Sequence, residues 1–231
     1  MRRSGSIADR ASGDEVFMIL KGNLRVDWRD YVALVAYYLD RDPFAVLVAI
    51  ILSQNTSDKN SIKAYMKLRE EVGVTPEAIL GVSEESLINV VRIAGLPRQK
   101  VAAMRALAEL VKGRGGTGWL LREDPWRLRE ELLKIKGVGK KTVDVFLSIY
   151  GRAPVFAVDT HAARIAKRWR IVEESAGYDE VSRALLEFFG SERAEEAHRL
   201  LIALGREYCR ARNPRCEVCP IRRLCPSAQL G

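Results

Sequence analysis

Apolar residues recur along this chain mostly at intervals of three and four. Phe44, Val46, Leu47, Ile50 and Ile51 form one stripe and Leu87, Val90 and Val91 another, while few stretches alternate at every second position. A period near 3.6 marks helix and a period of two marks strand, so the pattern predicts a nearly all-α protein. Asp42-Pro43, Thr75-Pro76, Ser83 ahead of Glu84-Glu85, and Asp124-Pro125 each put a capping oxygen or a proline where a first helical turn has spare amides. Stops are expected at Gly73, Gly81, Gly95, Gly113 and Gly151. Residues 112–118, KGRGGTG, read as a flexible connection, and residues 1–14 as a poorly ordered tail. There is one internal echo. Ile93-Ala94-Gly95-Leu96 followed by Lys100 and an apolar helix resembles Ile135-Lys136-Gly137-Val138 followed by Lys141 and an apolar helix.

Composition narrows the class. A chain of 231 residues, 48% hydrophobic, can build one large or two small cores and is not disordered. Its 38 basic against 30 acidic residues give a net charge of +8, which favours phosphate-rich partners. No window reaches the ~18 to 20 consecutive apolar residues of a membrane span, and the opening MRRSGSIADRASGDE has no apolar run after its arginines. A reducing, cytosolic setting is the expectation. Five Asn and three Gln beside 29% charged residues match a bias of proteins from hot environments.

Positive charge crowds a glycine turn in KIKGVGKKTVD, residues 134–144. Lys134, Lys136, Lys140 and Lys141 surround Gly137-Val138-Gly139, which predicts a helix, a tight hairpin and a second helix beginning near Lys140. Amides at that helix start, with the positive end of its dipole, suit a DNA phosphate. An ordinary helix corner would look similar. Lys141 would be a nucleophile only when neutral, against an ordinary pKa of ~10.4. The helix start, Lys140 and partial burial would favour the neutral form, whereas an ion pair with Asp144 would leave Lys141 an inert surface lysine. Downstream, in PVFAVDTHAARIAKR, Asp159 is placed to cap a helix and equally to stabilise a developing cation and move protons. His161 is one of two histidines.

All four cysteines, Cys209, Cys216, Cys219 and Cys225, fall near the C-terminus with six, two and five residues between them. Such clustering points to a metal site with thiolate ligands, and the spacing alone leaves tetrahedral zinc and a four-iron cluster open. Six arginines (Arg206, Arg210, Arg212, Arg215, Arg222, Arg223) against two glutamates in the same segment make a phosphate-binding patch, or else offset the cluster's negative charge.

Taken in order, LKIKGVGKKT, AVDTHAARIAKR and GREYCRARNPRCEVCPIRRLC resemble endonuclease III, a DNA glycosylase family of the helix-hairpin-helix superfamily, from about Asp42 to Cys225. The resemblance implies a prokaryotic, nucleoid-associated base excision repair enzyme with two helical lobes and a DNA cleft between them. Residues 1–42 and 153–231 would form the cluster lobe, with the cysteine loop at 209–225, and residues 43–152 the central lobe. It implies a [4Fe-4S] cluster on the four cysteines. It also implies that a damaged pyrimidine is flipped from double-stranded DNA, that Lys141 attacks the sugar C1′ to form a Schiff base, and that Asp159 assists. β-Elimination would then cut the strand, as it would at an abasic site. Two alternatives stand beside this reading: a monofunctional thymine or uracil mismatch glycosylase, against which Lys141 argues because such relatives carry Tyr or Ser there, and a non-catalytic iron-sulfur DNA-binding protein, against which Lys141 and Asp159 together weigh. The DNA-contacting set is expected to include Gly137, Val138, Gly139, Lys140, Leu96 as a wedge, and His161. In LSQNTSD the family's duplex-filling glutamine is replaced by Asn55, unless a one-residue shift makes it Gln54. A monomer is expected.

Overall fold

A computed structural model describes residues 5–229, which form thirteen α-helices and no strand. In chain order these are α1 (Gly13–Asn23), α2 (Val32–Leu39), α3 (Pro43–Ser53), α4 (Asp58–Glu71), α5 (Pro76–Gly81), α6 (Glu84–Val91) and α7 (Pro97–Gly113). There follow α8 (Trp119–Arg122), α9 (Pro125–Leu133), α10 (Lys140–Ile149), α11 (Thr160–Arg168), α12 (Tyr178–Phe189) and α13 (Ala194–Glu207). They fall into two compact units, one spanning Asp27–Ala153 and the other joining the chain up to Val26 with Pro154–Gly231.

The Asp27–Ala153 unit is built around α3. Asp42 caps this helix by accepting from the amides of Phe44 and Ala45 at 2.9 and 3.1 Å, and every residue from Pro43 to Leu52 is buried. A helix apolar on all faces needs neighbours on all faces, and α2, α4, α7 and α10 supply them. Each large side chain so buried contributes about 1.5–3 kcal/mol of transfer free energy. Residues 27–42, expected with the cluster lobe, belong here instead, because Val32, Leu34, Val35 and Ala36 of α2 are buried and α2 packs on α3. The caps expected at Thr75, Ser83 and Asp124 are all made.

In the other unit α1, α11, α12 and α13 enclose a core that includes Phe17, Leu20, Ile165, Trp169, Phe189 and Leu201. The expectation of a loose tail over residues 1–14 fails for the part described. Ser6 caps a short 3-10 turn at Ile7–Asp9, Ile7 is fully buried, and its amide donates to the Trp169 carbonyl at 3.0 Å. Ile7 and Ala11 both reach the core of this unit, which orders a segment that is otherwise polar and small.

Candidate active site and cluster cavity

The hairpin forms as the glycines require. Gly137 sits at φ +94°, where a side chain is disfavoured, and Gly139 starts α10 without any side-chain cap. Val138 is buried, and its amide donates back to Ile135 at 3.0 Å, closing the turn. Val143, Phe146 and Leu147 of α10 are buried, so that Lys141, half-buried in the first turn, is mounted on a helix fixed to the core. Lys136 and Lys140 are exposed, while Lys134 is taken up by Glu131 one turn earlier.

Asp144 is 2% exposed. Its carboxylate is buried and takes a two-point ion pair from Arg129, Nε to Oδ1 at 2.7 Å and an Nη to Oδ2 at 3.2 Å, tying α9 to α10 across the hairpin. The sequence alone carried no sign of this pairing beyond an arginine and an aspartate fifteen positions apart.

Gln54 and Asn55 separate clearly. The Gln54 amide donates to the Gly137 carbonyl at 2.9 Å and to Thr142 Oγ1 at 3.0 Å, so this side chain braces the hairpin. Asn55 is exposed with its backbone in the left-handed region at φ 51°. Leu96 is 49% exposed, also left-handed at φ 48°, and precedes α7. Two exposed turns of unusual backbone, one polar and one apolar, therefore belong to the same unit as Lys141.

Asp159 caps α11 as its position predicts, Oδ1 accepting from the Ala162 amide at 2.7 Å. One carboxylate oxygen is thus committed to the helix. His161 is half-buried against α13, where Gly205 leaves room for the ring, and its Nδ1 lies 2.9 Å from an Arg164 Nη. Burial lowers the imidazole pKa below its usual 6.5. Lys141 and Asp159 belong to different units.

The cysteine segment closes a cavity of about 140 Å³ lined by all four cysteines together with Arg168, Trp169, Leu204, Tyr208, Pro214 and Ile221. None of the four is in a disulfide. Among the described residues no three metal-binding side chains converge on a single ion. The thiols surround a volume, which suits one thiolate per iron of a cluster better than a tetrahedral zinc with all sulfurs ~2.3 Å from one atom. Burial pushes the Cys219 thiol up to about 11 and raises that of Cys225, so a cationic metal core is what would hold these sulfurs as thiolates. Arg168 of α11 donates to Cys209 Sγ at 3.2 Å and to the carbonyls of Arg210 and Ala211 at 2.7 and 3.2 Å. Arg164 holds the Cys209 carbonyl at 3.0 Å. The six arginines of this segment are all exposed.

The family signature described as "HhH-GPD superfamily base excision DNA repair protein" matches residues 48–191, and "Iron-sulfur binding domain of endonuclease III" matches residues 209–225. Endonuclease III of Sulfolobus acidocaldarius is 33% identical over 213 residues, covering 92% of this chain and 94% of that protein. The chain belongs to the endonuclease III family. This endonuclease III family member is a base excision repair enzyme, a DNA glycosylase and AP lyase with a [4Fe-4S] cluster, and the iron-sulfur signature spans its four cysteines. A solved endonuclease III–DNA complex, a trapped covalent intermediate with an estranged adenine, superposes with a TM-score of 0.73 at 27% identity, covering 95% of this chain and 98% of that one. A thermostable thymine-DNA glycosylase gives 0.75 at 20% identity, covering 95% of each chain, and shares the fold. No helix of the described residues is long and apolar enough to cross a membrane.

Proposed function

We propose that the protein excises oxidised pyrimidines from double-stranded DNA and then cleaves the strand, with Lys141 as nucleophile and Asp159 as its carboxylate partner. The reading rests above all on the position of Lys141, a half-buried residue in the first turn of α10, directly behind a glycine hairpin suited to a phosphate. The neutral amine attacks C1′ of the flipped nucleoside, and the base leaves with the electron pair of its glycosidic bond and takes up a proton. Opening of the sugar ring converts the adduct to an iminium. Loss of a C2′ proton then drives out the 3′ phosphate, and water hydrolyses the imine to restore the lysine. Asp159, with one oxygen on the Ala162 amide, offers the other to the developing cation and to proton transfer.

DNA contacts are assigned to the hairpin from Gly137 to Lys140, to Asn55 as the residue that enters the vacated stack, and to Leu96 as the apolar wedge. Gln54 is assigned to bracing, since both of its amide hydrogen bonds go to the hairpin. The substrate is double-stranded DNA carrying a damaged pyrimidine or an abasic site, and the enzyme works as a monomer in a prokaryotic cytoplasm.

Borohydride trapping tests the chemistry. Duplex DNA with an oxidised pyrimidine should yield a covalent adduct with the native protein and none with Lys141→Gln, which should still bind because the basic surface supplies most phosphate affinity. Base release by the native protein without any adduct would instead mean a monofunctional glycosylase.

A further inference from the structure

One charged side chain deep in the Asp27–Ala153 unit takes no part in the chemistry above. Lys100, on α7, is only 3% exposed. Its ammonium donates to the Leu52 carbonyl at 2.8 Å and to the Ala94 carbonyl at 2.6 Å. Burial lowers its pKa to about 8, so at neutral pH the group remains a cation with three donors. A buried charge is costly to keep, and here both of its bonds go to backbone.

The places it joins are what give this meaning. Leu52 lies at the end of α3, three residues before exposed Asn55 at φ 51°; Ala94 lies two residues before exposed Leu96 at φ 48°. Asparagine tolerates left-handed backbone, but for a leucine it is disfavoured and persists only where the surroundings hold it. Ile93, beside Ala94, is 45% exposed, so the second turn presents two apolar side chains to solvent while Ala94 between them is fully buried. From the first turn the connection continues, since Gln54 bonds to Gly137 and Thr142 on either side of Lys141.

We infer that Lys100 is a positioning residue that fastens the Asn55 turn to the Leu96 turn, so that the two enter the duplex together while the hairpin holds the backbone. The inference rests on the glycosylase reading, because it concerns the step in which an intact base is expelled from the stack. At a preformed abasic site there is no base to expel, and the same fastening matters less.

The test compares native protein with Lys100→Met, which keeps length and removes the donors, on two duplexes, one with an oxidised pyrimidine and one with an abasic site. The ratio of base excision to abasic-site cleavage, in single turnover, should fall about tenfold. Combined with Leu96→Ala, Lys100→Met should add little to the loss caused by Leu96→Ala alone, as expected of residues acting through one element. Should Lys100→Met not fold, judged by circular dichroism and cluster absorbance, Lys100→Gln serves the same comparison. An unchanged ratio, or losses that multiply in the double variant, would overturn the inference while leaving the glycosylase reading intact. A native protein inactive on both duplexes would overturn that reading and this inference with it.

Discussion

Gly205 has no side chain, and the space a Cβ would occupy is taken by His161. An added Cβ would lie 2.3 Å from Nδ1 and 2.8 Å from the ring's Cγ, closer than van der Waals contact permits. Gly205→Ala should therefore cost about 1–3 kcal/mol, or several degrees in melting temperature at ~2–4 °C per kcal/mol. Adding His161→Ala should recover part of that loss, and a double variant no more stable than Gly205→Ala alone would disprove the contact as the cause. The same packing sets a pH dependence. His161 has its folded pKa lowered below 6.5 by burial. As pH falls below 6.5 the unfolded chain takes up the proton first, so stability is full above that value and declines as pH drops toward the folded pKa. Urea midpoints measured from pH 8 to 5 should fall less steeply for His161→Gln than for the native protein. A histidine named for its place in a motif thus has a packing task that one sequence could not reveal, because its partner is a glycine more than forty positions away.

Helices carried their own partners into view more unevenly. The stripes of α3, Phe44, Val46, Leu47, Ile50 and Ile51, and of α6, Leu87, Val90 and Val91, were legible and are buried, whereas the burial of α3 on every side and the α7 stripe of Val101, Met104, Leu107 and Val111 emerge from the fold. Lys100 stands at the head of the α7 stripe, one turn before Ala103 and Met104, and a lysine on an apolar face was the available sign of a buried ammonium. The α9–α10 connection shows what stays hidden. The sequence sets Asp144 three positions after Lys141 on one helix, and only the fold brings Arg129 to it. With Asp144 2% exposed and Arg129 20%, removing one partner leaves the other charge poorly solvated. Asp144→Ala should lower unfolding free energy by about 3 kcal/mol, measured in denaturant, with Asp144→Asn losing less because it keeps the shape and one acceptor. Since the pair fixes the orientation of α10, both variants should also slow Schiff-base trapping at Lys141. Normal trapping in a destabilised Asp144→Ala would confine the pair to stability.

At the scale of the whole molecule, the four cysteines were the most legible feature and the boundary between units the least. A cysteine cluster announces itself by spacing, whereas residues 27–42 carry ordinary apolar positions whose allegiance depends on which core they meet. The two units differ in what holds them. The Asp27–Ala153 unit closes around an all-apolar helix, while the described residues after α13 contribute Ile221 as their one buried large apolar side chain and are otherwise arranged around the cysteine cavity. Metal ligation must then supply folding free energy that side-chain burial does not. Trp169 lines that cavity and is 1% exposed, whereas Trp119 is 7% exposed in the other unit, so each unit carries its own buried indole. Cys216→Ser should lose iron-sulfur absorbance and expose the Trp169 environment at a lower temperature than that of Trp119, which single-tryptophan variants would separate. Native iron content and coincident transitions would instead mean that three thiolates suffice and that the cluster adds little to the stability of its unit.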